Sequence, residues 1–216
     1  MGGEVVRLEV SASMPKQIMK MLMNGMNVDS RDLYEIKGLL GLDDLIKLLS
    51  IPMPQLKDEP HQGITPKSLH HSQIGLFEEG SIKPEEFKSI FDVLQEKDLL
   101  LHHPYDLFST SIEEFINQAA DDPQVMAIKI TLYRTSKDSP IIKALIRASE
   151  NGKQVMSLVE LKARFDEDNN IQWARQLEAS GVHVVYGVVG LKTHTKIVLV
   201  IRKEDQGLQS YVHIGT

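Results

Sequence analysis

Cysteine is absent from this sequence, which removes disulfides, thiolate metal sites and cysteine nucleophiles at once. The chain fits a reducing cytoplasm on that count. No stretch reads as a signal peptide, and no apolar run is long enough to span a bilayer. The glycines form neither a Gly-x-Gly-x-x-Gly nor a Walker-type Gly-Lys-Ser/Thr pattern, so both standard nucleotide-binding loops are missing. A serine-hydrolase elbow is missing as well. Excess positive charge is lacking too. The formal charge of −6 argues against a general nucleic-acid binder, though a local basic pocket remains compatible with it.

What is present is a pattern of alternating elements. At 216 residues the chain can bury one good core, or one core and part of another. Val5-Val-Arg-Leu-Glu-Val10 alternates at period two and predicts a strand. A helix follows from Pro15, with Gly25 as its stop, and its methionines read as core filling. Residues 33–37 and 42–49 predict a second short strand and helix. Prolines 52, 54, 60 and 66 make residues 51–82 a linker or crossing segment. His61, His70 and His71 lie there without acidic partners at metal-ligand spacing.

From Lys83 the sequence predicts repeated strand–helix alternation. A helix is expected over 84–96 and an apolar strand over 98–102. Thr110 or Ser111, with Glu113 or Glu114, stands in capping-box register for the next helix. Strands are then expected at 125–132, 154–161 and 182–186. Helices opening at Ser139-Pro140 and at Asn169 separate them, and a hairpin over 197–214 closes the chain. Three strand–helix–strand units imply an α/β fold: a mixed, mainly parallel sheet flanked by helices, behind a small α+β front piece. The expected division is 1–50, 51–82 and 83–216. Glu4 starts a pattern at once and Tyr211 to Thr216 stop in a strand, so the chain reads as a piece of something longer.

In an open α/β sheet ligands bind beyond the carboxyl ends of the strands. The three strands at 125–132, 154–161 and 182–186 run into Tyr133-Arg134-Thr-Ser-Lys137, Lys162-Ala-Arg164 and Lys192-Thr-His194-Thr-Lys196. Every loop on that edge delivers a cation, and one adds a histidine. A lone arginine after a strand is usually a surface residue, with Asp138 a partner for Arg134 and Asp166 or Glu167 for Arg164. Three such loops together suggest a polyanionic substrate, because guanidinium forks match phosphate oxygens and neutral imidazole is a good nucleophile for phosphorus. Asp166, Glu167 and Asp168 read as a solvated loop or helix start rather than as metal ligands. His102, His103, His183 and His213 read as structural. His102 and His103 are placed to line the edge of Arg134, and His213 to approach His194 across the hairpin.

These residues resemble polyphosphate kinases of the first type. The likeness lies in His102-His-Pro-Tyr-Asp106, Leu132-Tyr-Arg-Thr-Ser-Lys-Asp-Ser-Pro140, Val159-Glu-Leu-Lys-Ala-Arg-Phe-Asp-Glu167, Gly181-Val-His-Val-Val-Tyr186, Gly190-Leu-Lys-Thr-His-Thr-Lys196 and Tyr211-Val-His-Ile-Gly-Thr216. It runs through most of residues 83–216, and residues 5–49 resemble the end of the family's preceding domain. The resemblance implies reversible transfer of the terminal phosphate of ATP to inorganic polyphosphate, with ADP as the other product. It implies that His194 is the phosphorylated residue and that Arg134 and Arg164 serve magnesium and phosphate binding. Lys192 joins the phosphate contacts, and Lys196 neutralises charge on the transferring group. Guanidinium only donates, so the arginines are expected to grip phosphate oxygens that Mg2+ bridges. The family further implies a cytoplasmic homotetramer with peripheral association at the inner membrane face, and no nucleic-acid partner.

The implied fold is phospholipase D-like. That superfamily's His-x-Lys-x-x-x-x-Asp motif is incomplete here, because Ile201 holds the aspartate position. Gly215-Thr216 resembles the start of a Gly-Thr-Gly-Asn segment. The family's nucleotide-contacting domains lie outside this chain, so the chain alone is expected to hold phosphate and turn over little. Two rival readings use the same residues: a phospholipase D-like phosphodiesterase or nuclease, and a noncatalytic polyanion-binding module.

Overall fold

The computed structural model describes residues 4–134, 139–162, 167–187 and 190–215. Contacts divide the chain into two compact units, Met1–Pro60 and His61–Thr216. Among the described residues no helix is long and apolar enough to cross a membrane.

In the first unit, strands β1 (Leu8–Ser11) and β2 (Leu33–Ile36) pair in parallel across helix α1 (Lys16–Met26). The first strand starts later than the alternation at Val5 predicts. Gly25 does not stop α1. The helix runs one residue further and closes on Asn27, whose left-handed φ of 52° lets its own amide reach back to the Asn24 carbonyl and the Val28 amide to that of Met23. The methionines are not core filling within this unit, since α1 buries none of its residues. A two-stranded sheet offers too little surface to enclose a helix. The helix expected at 42–49 is a 3-10 helix, Leu42–Ser50, ending before Ile51-Pro52, where the residue preceding proline leaves the helical region.

The second unit is built on a five-stranded sheet in the order β5-β4-β3-β6-β7. The strands are β3 (Val125–Leu132), β4 (Gln154–Val159), β5 (His183–Tyr186), β6 (Lys196–Glu204) and β7 (Gly207–Gly215). The first three are parallel; β6 runs antiparallel to β3 and pairs with β7 as a hairpin. The α/β expectation is met. The ladder continues further into the hairpin than its polar sequence suggests, leaving only Asp205-Gln206 to turn the chain, with Gly207 at φ 120°.

Ile128, Ile130, Val155, Val159, Val198 and Val200 alternate along the strands and are buried on one face. They pack with Phe91 of α3 (Ile90–Glu96), Phe115 and Ile116 of α4 (Glu114–Asp121), Ile142 and Leu145 of α5 (Pro140–Glu150), and Ala174 and Leu177 of α6 (Glu167–Ala179). A short α2 (Ile74–Glu78) follows the segment that buries Leu69 in the same core.

Three expectations fail in this unit. Residues 98–102 form no strand: Leu99 and Leu101 pack on the core, Leu100 is 98% exposed, and the amide of His102 is taken by the Asp106 carboxylate. Three consecutive leucines read as an apolar strand, but the segment has no ladder partner. The expected helix over 84–96 is broken, because Ser89 is extended and starts α3 afresh. Its hydroxyl accepts from Asp92 N while the Asp92 carboxylate accepts from Ser89 N, a capping box the sequence reading missed. The box expected at Thr110/Ser111 is absent. There a wide π turn, Ser109–Glu113, leads into α4; Ser111 donates back to Leu107 O, and Glu114 accepts from Ile74 N and Gln118 Nε2.

Gly63 crosses under the turn at Tyr105, where Ile64 exchanges backbone bonds with Tyr105 and Leu107. A Cβ at Gly63 would lie 2.6 Å from the Pro104 carbonyl oxygen and 3.0 Å from that of Tyr105. Backbone cannot swing away, so Gly63→Ala is expected to cost about 1–3 kcal/mol, as overpacking does. Denaturant unfolding measures it, and an unchanged midpoint would show that the crossing opens freely.

Candidate functional site

The reversal of direction at β6 creates the site. Chain leaving β5 at the carboxyl edge must pass β4 and β3 along that same edge to enter β6. Of the described residues, Gly187 and 190–195 lie on this passage, and His194 is near its end.

Two side chains from beneath hold the crossing segment. At the close of β4, Glu160 is buried, with 4% of its surface exposed. One carboxylate oxygen accepts from Thr193 N at 2.7 Å and the other from Lys162 N at 2.9 Å. Near the close of β3, the Thr131 hydroxyl donates to Thr195 O at 2.6 Å and accepts from Ile197 N at 2.9 Å. Asn170 of α6 ties the strand ends together, donating to both Tyr133 O and Glu160 O at 2.9 Å.

Burial, the largest influence on Glu160, pushes its carboxyl pKa up. The two amides, with the Lys192 and Lys162 ammoniums, outweigh that together and hold it below the ordinary glutamate range.

Above these anchors, cations gather on one ring. His194 meets Tyr133 edge-on, with centroids 5.0 Å apart at 73°. Lys196 Nζ lies 4.6 Å from the Tyr133 centroid, Lys192 Nζ 5.3 Å and Arg134 Cζ 5.5 Å. Lys196 also donates to His194 O at 2.6 Å. Tyrosine's negative ring face attracts each cation, but like charges held this close repel one another. Guanidinium and ammonium donors gathered in this way can hold phosphate oxygens.

The structure thus brings together His194, Lys196, Lys192 and Arg134. Arg164 lies outside the described residues, as do Asp138 and Asp166. Glu167 and Asp168 occupy the first turn of α6, where acids complement the helix dipole. His183 is an exposed sheet-face residue of β5. His103 bonds Asp106 O and meets Phe108 edge-on, while His102 meets Tyr105 edge-on. His213 shares a sheet face with Val198 and Tyr211, and burial, then the neighbouring His103, lowers its pKa. Among the described residues no group of three or more His, Asp and Glu side chains is arranged to hold a metal. Sequence reasoning missed Tyr133, Thr131, Glu160 and Asn170. A carboxylate directly after the buried run of β4 was the one available signal.

Residues 89–216 match the family description "Polyphosphate kinase C-terminal domain 1", and residues 1–48 match "Polyphosphate kinase middle domain". The chain belongs to the polyphosphate kinase family. Across all 216 residues it is 73% identical to the polyphosphate kinase of Parasynechococcus marenigrum (strain WH8102), and over 217 aligned residues 56% identical to that of Synechocystis sp.. It spans about 30% of the length of each of these kinases. The crystal structure of polyphosphate kinase from Porphyromonas gingivalis superposes with a TM-score of 0.65 at 27% identity, over 91% of this chain and 27% of that one. A fainter likeness, TM-score 0.34 at 18% identity over 46% of this chain and 72% of that one, is to the phospholipase D family member Nuc from Salmonella typhimurium.

The Glu160 anchor has a definite pH sign. A carboxyl with a lowered folded pKa stabilises fully above its unfolded value, about 4.3, and that contribution is lost as pH falls through the folded value. Protection of the Thr193 amide against hydrogen exchange, taken relative to its intrinsic rate, is therefore expected at pH 6 and lost on acidification. Protection that stays level through the carboxylate range would remove Glu160 as its cause.

Proposed function

We propose that the protein of which this chain forms part moves the terminal phosphate of ATP reversibly onto inorganic polyphosphate, through a phosphohistidine at His194. One observation carries this reading: His194 rests against Tyr133 with Lys192, Lys196 and Arg134 gathered on the same ring. A nucleophile and its anion-stabilising cations share one platform.

In this reading a neutral imidazole nitrogen attacks the terminal phosphorus of ATP. A P–N bond forms, the P–O bond to ADP breaks, and the electron pair leaves on ADP. An end oxygen of polyphosphate then attacks the same phosphorus and the P–N bond breaks, restoring the imidazole. Lys192, Lys196 and Arg134 neutralise the equatorial oxygens in both halves, so catalysis rests on positioning and electrostatics. Arg164 completes the phosphate contacts.

Guanidinium and ammonium groups do not ligate cations, so Arg134, Lys192 and Lys196 do not fit Mg2+ as a directly held ion. Magnesium belongs to the phosphates in this reading, and no step is routed through it. Residues 1–50 close the preceding α+β domain, 51–82 lead across, and 83–216 form the phospholipase D-like catalytic domain. Cytoplasmic location, a homotetramer and peripheral contact with the inner membrane face go with the same reading. A phosphodiesterase would want a carboxylate at the position of Ile201, which instead sits half-buried in β6 opposite Ser210.

Labelling the full-length protein with ATP carrying a radioactive terminal phosphate tests the proposal. The expected product is acid-labile, base-stable phosphohistidine at 194 that chases into polyphosphate. His194→Ala is expected to label not at all while keeping its fold. A folded, ATP-binding wild type that takes no label would end the covalent mechanism. Arg134→Ala and Arg164→Ala are expected to slow transfer on the order of 10²-fold. Lysine at either position restores part of that, since the charge returns without the two-pronged fork.

A further inference from the structure

Glu160 touches neither the histidine ring nor, in the mechanism above, the phosphate. Yet it is a fully formed anion beneath a loop of cations, and burial of such a group is expensive unless something is gained in return. From its bonding we infer that Glu160 is the positioning residue of the phosphotransfer site, seating His194 through the Thr193 amide. This rests on the phosphohistidine reading of the same site.

The geometry brackets the nucleophile. On one side Thr193 N donates to Glu160; on the other Thr195 O accepts from Thr131; and the carbonyl of His194 itself accepts from Lys196. The Thr131 hydroxyl belongs to β3 and the Glu160 carboxylate follows β4, so the histidine backbone spans two strand ends of a rigid sheet. The same carboxylate closes on Lys162 N, at the start of the loop that carries Arg164. One anion therefore sets the register of two of the three cationic loops.

The residue type follows from the donors. Two N–H groups converge on the side chain, and only a carboxylate offers acceptors at both oxygens. Glutamine would turn an NH2 group toward one of the two amides and push that loop away. Aspartate keeps the charge but is one methylene short of spanning both. A misplacement on the order of 1 Å costs a reaction about 10²-fold when near-attack geometry is lost.

The test uses the full-length enzyme. Glu160→Gln is expected to slow single-turnover phosphorylation of His194 by about 10- to 100-fold at saturating ATP. The ATP concentration for half-maximal rate should move by less than about threefold, because uniform binding is untouched. Exchange of the Thr193 amide should rise in parallel, and Glu160→Asp should recover part of the rate. A purely structural role would lower the melting temperature and leave the single-turnover rate of the folded fraction at its wild-type value, which overturns the inference.

Should Glu160→Gln fail to fold, Thr193→Pro removes the donor from the other side. Slow phosphorylation in that folded variant supports the inference and a wild-type rate overturns it. The wild type supplies an arm that needs no variant: an unprotected Thr193 amide at pH 6 overturns the inference, and a protected one supports it. A wild type that takes no label defeats the phosphohistidine reading instead, and leaves amide exchange to decide the clamp by itself.

Discussion

A carboxylate held out of water organises the carboxyl edge of the five-stranded sheet. Glu160 would be a liability in an apolar interior, but it lies where a parallel strand ends and backbone amides are free to turn toward it. Its main chain is bound as well: its amide donates to Leu132 O and its carbonyl accepts from Asn170. Through that one residue β3, β4, α6 and the crossing segment before β6 become a single hydrogen-bonded unit. Loops at a sheet edge are ordinarily the mobile part of an α/β fold. Here the loop bearing His194 is stitched to strand ends at residues 193, 195 and 197.

Upon that scaffold sits an electrostatic contradiction. The chain is acidic overall, yet Arg134, Lys192 and Lys196 face one tyrosine ring. The ring face and the buried carboxylate lower the cost of assembling like charges. In the proposed reading an anionic ligand meets donors already oriented, and little reorganisation is left for the transfer step. Residues 89–216 carry the match to the polyphosphate kinase C-terminal domain, and the proposed function seats a polyphosphorylated ligand on these cations.

The far end of the sheet is organised differently. There Arg202, packed over Phe91, pairs with Asp122 at 2.8 Å and Glu204 at 3.2 Å, while Tyr211 closes on Glu204. These cations and anions satisfy each other in a partly buried network that joins the hairpin to the helix face. The contrast is one of arrangement: at one end ion pairs join the hairpin to the helix face, and at the other three cations gather on one tyrosine ring.

Much of this was legible in the residues. The period-two runs at 125–132 and 154–159, the proline-in, glycine-out punctuation of α5, and cations after each parallel strand are local signals, so β3, β4, α5 and the loops bearing Arg134 and His194 followed from sequence. Segments whose state depends on distant partners did not follow. Residues 98–102 carry an apolar run like a strand's but have no neighbour to pair with, and Ser89 interrupts the helix that the sequence predicts from Pro84. The roles of Tyr133 and Glu160 were hidden for the same reason. A tyrosine becomes a platform, and a glutamate a clamp, only when antiparallel β6 forces the chain back across the ends of β4 and β3. Sequence by itself determined which residue types reach the carboxyl edge, because strand periodicity and loop position are local. Only the tertiary structure decided which of them meet, because hydrogen bonds and ring contacts between residues 131, 133, 160 and 193–197 depend on strand order, which no local pattern encodes.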